Sequence, residues 1–172
     1  MLRLIAAACA ALTLAACATG PNPIAPETRQ AVFVEDAGVV WSVEDTQRLV
    51  NADYVQGKQD LVTRLESAVE AAFATSPAGA QAVRFEIDIK QYSRVGAVVG
   101  NMLGGSNIVT ADVRVIRISD GEVLGVYEDM WGMMASNGGI IGAVVQGISK
   151  PDVVGIMTNN FAANLRARYD RD

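Results

Sequence analysis

Histidine is absent from this 172-residue chain, and its only two cysteines, Cys9 and Cys17, lie close to the N-terminus. Catalytic triads that use histidine, Cys-His dyads, and zinc sites built on histidine or several cysteines are therefore excluded. If Cys17 is modified, the mature chain has no free thiol and no internal disulfide. Carboxylates, lysines, arginines and hydroxyl groups are the side chains that remain for chemistry.

The N-terminal apolar run is too short to remain in a membrane as a helix. It extends over 13 residues, from Leu4 to Ala16, whereas a spanning helix needs about 20. Arg3 precedes the run and small residues follow it, which is typical of a secretory signal with a cleavage site. Its end, Leu14-Ala15-Ala16-Cys17, resembles the lipobox of bacterial lipoproteins, in which the cysteine is lipidated and becomes the first mature residue.

This resemblance implies a signal peptide over residues 1–16 and lipidation at Cys17. Each buried methylene is worth about 0.8 kcal/mol, so two or more acyl chains hold a protein stably to a membrane. Residue 18 is alanine rather than aspartate, and the family's sorting rule then implies the periplasmic face of the outer membrane. An ordinary secretory signal cut after Ala16 is the alternative. A cytosolic amphipathic helix is disfavoured because the run has no polar face.

Composition limits the partners of the remaining chain. The formal net charge is −5 for the full chain and becomes −6 when residues 1–16, which include Arg3, are removed. An acidic domain repels nucleic acid and anionic lipid surfaces. Pro21, Pro23 and Pro26 predict an extended spacer, so residues 17–30 are interpreted as anchor and tether. Residues 31–172 have the length of one periplasmic domain.

Hydrophobic periodicity predicts the secondary structure of that domain. Apolar residues at three- and four-residue steps predict helices at 58–75 and 151–169, the second with Ser149 as a candidate cap. Alternation predicts strands at 83–90, 107–119 and 122–133, with an Asp-Gly hairpin between the last two. A first strand is predicted at 31–35, continuing over 39–41 after a bend at Gly38. The order β-α-β-β-β-α predicts an α+β two-layer domain, with an antiparallel-rich sheet and both helices on one face.

Two apolar, uncharged, glycine-rich segments, 95–105 and 138–149, are the candidate contact segments. Gly-Ala-Val-Val occurs in both, and several glycines are four residues apart. Such spacing permits close backbone approach. The alternatives are apolar loops that dip into a membrane or bind a partner, and internal loops that cover the end of the sheet. The candidate glycines are Gly96, Gly100, Gly104, Gly138, Gly142 and Gly147.

Other patterns are weaker. The spacing from Gly142 to Ser149 is that of a phosphate-binding loop, but Ile148 replaces the required lysine. Adjacent carboxylates such as Glu128 and Asp129 point to opposite faces of a strand, so they form no acid/base pair. The sequence predicts no metal site and no cofactor.

Three functions follow from these observations. We expect a non-enzymatic lipoprotein that acts through protein contacts, either in envelope structure or as an accessory subunit of a transport or assembly machine. Its partner is another protein or a second copy of itself. The alternative is a binding module for a lipid or other apolar small molecule. A glycan hydrolase that uses two carboxylates is the third hypothesis, but the sequence places no such pair.

Overall fold

A computed structural model describes residues 21–43, 52–74, 81–93, 106–135 and 152–171. These ranges contain three helices, α1 (Pro26–Ala31), α2 (Ala52–Phe73) and α3 (Val153–Tyr169). They also contain four strands, β1 (Val32–Trp41), β2 (Gln81–Ser93), β3 (Ser106–Arg117) and β4 (Val123–Ala135). The predicted α+β class and the order β-α-β-β-β-α are confirmed, with the short helix α1 added before β1.

The four strands form one sheet in the order β1-β2-β3-β4. Strands β1 and β2 are parallel and are connected through α2, whereas β2-β3 and β3-β4 are antiparallel. The hairpin between β3 and β4 turns at Gly121, whose φ of 76° favours glycine. Alternation of apolar and polar residues directs one face of each strand to the helices and the other face away from them.

The core lies between the sheet and the two long helices. The sheet contributes the alternating apolar residues of β2 and β3 to this core. Helices α2 and α3 each contribute a stripe of apolar residues at three- and four-residue spacing. The Phe73 ring packs edge-on against that of Phe85, with ring centroids 4.7 Å apart. The fully buried residues include Leu61, Leu65, Val69, Val83, Phe85, Ile87, Ile89, Val109, Val113, Val115, Met157, Phe161 and Leu165.

Helix α2 and strand β1 differ most from the sequence prediction. Helix α2 begins at Ala52, six residues before the predicted start. Asp53 and Gly57 have weak helix propensity, but their cost is outweighed by the cooperativity of a long helix. Strand β1 is continuous through Gly38, and its irregularity is instead a register shift between Val34 and Asp36.

The N-terminus of α3 also differs from the prediction. Asp152, rather than Ser149, caps the helix, since its carboxylate accepts from the backbone N–H of Gly155. A Cβ atom at residue 155 would lie 2.3 Å from Asp152 Oδ2, so a side chain there would displace the capping carboxylate. No helix among the described residues has the length and hydropathy needed to cross a membrane.

Candidate contact surfaces

The residues proposed from the sequence as functional lie outside the described residues. These are Cys17 and the six glycines Gly96, Gly100, Gly104, Gly138, Gly142 and Gly147. The described residues that flank the two glycine-rich segments do have defined positions, however, and they show where each segment joins the fold.

Both glycine-rich segments join the sheet at the same end, which we call the glycine end. The first segment connects Ser93, the last residue of β2, to Ser106, the first of β3. The second follows Ala135, the last residue of β4, and Ala135 pairs with Ser106 in the sheet register. Because β1 is parallel to β2, Trp41 at the end of β1 lies at this end as well. The sequence alone did not predict that the two segments share one end.

An aromatic pair lies below the glycine end on the helix side of the sheet. The rings of Trp41 and Tyr92 meet edge-on with centroids 5.8 Å apart. The ammonium group of Lys58 lies 4.5 Å from the Trp41 ring centroid, which is a cation–π arrangement. These contacts connect the ends of β1 and β2 to the first half of α2.

The outer face of the sheet carries an apolar patch next to the glycine end. In the register of β3 with β4, Ile108 lies opposite Met133 and Thr110 lies opposite Trp131. The two pairs are neighbours on the outer face of the sheet. Trp131 is 46% exposed although it is the largest apolar side chain of β4. We call Ile108, Trp131 and Met133 the outer patch. An exposed tryptophan within such a patch is typical of a contact surface.

The middle of the outer face is charged, and its charges compensate one another. Glu86 contacts Arg114 at 2.5 Å and Arg84 at 3.8 Å. Lys90 contacts Asp88 at 2.5 Å and Asp112 at 3.9 Å. Partial burial raises the pKa of Asp88, but hydrogen bonds from Lys90 and Ser42 outweigh this effect and hold the pKa below its usual value. The middle of the outer face is therefore polar and partly exposed.

Helix side chains bind one backbone group on the β1 edge of the sheet and two on the β4 edge. On the β1 edge, Glu66 of α2 accepts from the backbone N–H of Val39 at 3.0 Å. On the β4 edge, Asn160 and Asn164 of α3 donate to the carbonyl groups of Met133 and Trp131 at 2.8 and 3.0 Å. Occupied edge groups oppose strand addition by another chain. The glycine end and the outer patch therefore remain as the better candidates for protein contact.

The opposite end of the sheet, which we call the base, is where the N-terminal segment attaches. The Asn22 amide nitrogen lies 2.9–3.0 Å from the carbonyl oxygens of Arg168, Tyr169 and Arg171. Its amide oxygen accepts from the backbone N–H of Ile24 and from the Tyr127 hydroxyl at 2.9 Å. Asn22 therefore connects the C-terminal end of α3 to the core side of β4.

Arg29 and Ile24 extend this attachment. Arg29 is buried and donates to the carbonyl groups of Tyr169 and Arg171. Ile24 is also buried, and a Cβ atom on Gly125 would lie 2.6 Å from its Cγ1 atom. Residues 22–31 thus pack against the domain, although the sequence assigned residues 17–30 to a tether. The three prolines suggested a spacer, and no periodicity in so short a segment indicated its buried side chains.

The N-cap of α3 provides a pH-dependent prediction. The hydrogen bond from Gly155 and the ion pair with Arg64 hold the pKa of Asp152 below its ordinary value. Because the pKa of Asp152 is lower in the folded chain than in the unfolded chain, its ionised carboxylate stabilises the fold above about pH 4. This stabilisation is lost as the pH falls through the folded-state pKa. Asp152→Asn retains the cap but removes the charge. We expect the variant to melt at a lower temperature than the native chain at pH 7, with the difference shrinking as the pH is lowered through the titration of Asp152. A difference that is independent of pH would contradict this account.

Comparison with known proteins gives structural likenesses only. No protein-family model matches the chain, and no curated protein matches it. A candidate lipoprotein from Caulobacter crescentus aligns at 11% identity and a TM-score of 0.42, over 77% of this chain and 86% of the other. The PelC dodecamer from Paraburkholderia phytofirmans aligns at 11% identity and a TM-score of 0.42, over 86% and 93%. A DUF330 protein from Xanthomonas campestris aligns at 12% identity and a TM-score of 0.34, over 88% and 93%.

These low identities and TM-scores transfer no function to this chain. Within the described ranges, no group of three or more aspartate, glutamate, histidine or cysteine side chains is placed to hold a metal ion.

Proposed function

We propose that this protein is a non-enzymatic lipoprotein, anchored through Cys17 on the periplasmic face of the outer membrane, which acts by binding another protein at its glycine end. The Leu14 to Cys17 motif supports the anchor, and Ala18 supports outer-membrane sorting. The observation that carries the contact proposal is that both glycine-rich segments join the sheet at one end, opposite the base.

The surroundings of the glycine end support a protein partner. The outer patch lies directly beside this end and exposes Trp131, and aromatic residues are enriched in the cores of protein interfaces. Both sheet edges have helix side chains on their backbone groups. The proposed contact is therefore made by side chains and by close approach of the glycine-rich backbone, rather than by strand pairing.

In-cell crosslinking of the lipidated protein tests this proposal. The double variant Gly100→Gln, Gly142→Gln places bulky polar side chains in both segments. A matched control is Gly38→Gln on β1, where an added Cβ atom has no neighbour within 4 Å. After membrane solubilisation, we expect the native chain and the control to yield the same crosslinked membrane or periplasmic protein, and the double variant to lose it.

The possible outcomes separate the hypotheses. Crosslinks to a second copy alone, lost in the double variant, would identify the partner as the protein itself. Equal recovery of a partner by all three chains would contradict the role of the glycine end. If no chain gives a crosslink, the proposal of a protein contact fails. Organic extraction and mass spectrometry of the unlipidated domain would then examine the alternative, a bound apolar molecule.

A further inference from the structure

The position of Asn22 limits how far the domain can lie from its lipid anchor. Asn22 is fixed at the base by hydrogen bonds to Arg168, Tyr169 and Arg171. Five peptide steps separate it from Cys17, and even a fully extended chain of this length reaches only about 18 Å. A free tether up to residue 30 would have reached about 40 Å. The attachment of residues 22–31 therefore keeps the base close to the acyl chains.

The short linker between Cys17 and Asn22 also prevents the anchor from reaching the glycine end. Strand β1 has ten residues between the base and Trp41, which corresponds to about 33 Å at about 3.3 Å per residue. This distance is nearly twice the length that the chain between Cys17 and Asn22 can span. A domain lying on the membrane by its glycine end would require Asn22 to detach from its partners.

The chemistry of the base suits a lipid interface. Ile118 and Val123 flank the hairpin of β3 and β4 and are 45% and 48% exposed. The carboxylates at the tip of this hairpin, Asp120 and Glu122, both contact Arg117, so their negative charge is partly compensated. Arg171 is exposed beside the attachment of the N-terminal segment. Exposed aliphatic groups with nearby cations are favourable at the boundary between headgroups and acyl chains.

We propose that the base is a second, non-covalent membrane contact, in which Ile118 and Val123 rest on the phospholipid surface that holds the Cys17 lipid. The strand ends that bear the glycine-rich segments then face away from that membrane. This inference rests on the proposed lipidation of Cys17. Of the alternatives for the glycine-rich segments, it favours binding of a protein over entry into the anchoring membrane.

Site-specific fluorescence on the lipidated full chain tests this orientation. The thiol introduced by Ile118→Cys is labelled with an environment-sensitive fluorophore, and Val40→Cys provides the matched control. Val40 is similarly exposed, at 41%, on the outer face of β1 near the glycine end. A lipidated Cys17 leaves no other free thiol in the mature chain. The protein is reconstituted in phosphatidylethanolamine-rich vesicles that carry a nitroxide quencher on some headgroups.

We expect strong quenching of the label at residue 118 and little quenching at residue 40. Equal quenching at both sites, stronger quenching at residue 40, or none at either site would overturn the proposed orientation. Mass spectrometry of the same sample separates this failure from failure of the proposed function. A chain without acyl groups at Cys17 contradicts the anchor itself, whereas an acylated chain with the wrong quenching pattern contradicts only the membrane contact of the base.

Discussion

Replacing Gly132 by alanine is expected to lower the free energy of unfolding by about 3 kcal/mol, the upper end of the usual range for overpacking a core. Gly132 faces α3 at the point where the helix crosses β4. An added Cβ atom would lie 2.1 Å from the carbonyl oxygen of Met157 and 2.8 Å from Cβ of Phe161. The nearest of these atoms belongs to backbone, so no side-chain rotation can relieve the clash. The helix must instead move away from the sheet, and Phe161 must lose part of its packing.

Urea denaturation of the mature chain with Cys17→Ser measures this effect. Gly38→Ala is the matched control, because it makes the same change in a strand where the new methyl group has no neighbour within 4 Å. We expect the control to be neutral or stabilising by up to about 1 kcal/mol, since glycine is unfavourable in a strand interior. A loss below about 1 kcal/mol for Gly132→Ala would mean that α3 does not pack on β4 as closely as described.

The parts of the fold that were predicted correctly are those encoded by local periodicity. The alternation from Val83 to Ile89 identified β2 and its buried face, and the three- and four-residue spacing from Leu61 to Phe73 identified most of α2. Both patterns arise because one side of an element meets the core, so they can be recognised without knowing what lies opposite.

Contacts between distant segments were not predicted. Asn22 bonds to residues about 146 positions away, and nothing in its local sequence indicates those partners. Gly132 lies among apolar residues, and nothing in this local sequence indicates that it closely contacts α3. The shared position of the two glycine-rich segments depends on strand direction, which periodicity does not encode. The candidate surface therefore became definable only when the register of Ser106 with Ala135 and the parallel pairing of β1 with β2 were known.

Asn22→Ala is the second substitution with a large expected effect. The substitution removes the amide nitrogen that donates to three carbonyl groups at the end of α3. It also removes the amide oxygen that accepts from the Tyr127 hydroxyl. Burial raises the pKa of Tyr127 well above its ordinary value, so this hydroxyl remains a neutral donor that needs an acceptor. An unsatisfied buried polar group costs about 1–3 kcal/mol, and the lost helix-end bonds add to this. We expect a total loss of about 2–4 kcal/mol in urea denaturation.

Detachment of the N-terminal segment gives this variant a second, independent readout. Arg29 is buried in the native chain, so trypsin should cleave after it only when residues 22–31 leave the base. Cleavage at Arg29 should therefore be much faster in Asn22→Ala than in the native chain. Asn159→Ala, at an exposed position of α3, controls for the substitution itself: it should leave cleavage at Arg29 unchanged and, because alanine favours helix over asparagine, should stabilise the fold by no more than about 0.7 kcal/mol. If Asn22→Ala unfolds more easily but Arg29 remains protected, then Arg29 and Ile24 hold the segment without Asn22. In that case the short distance between base and membrane does not depend on this asparagine.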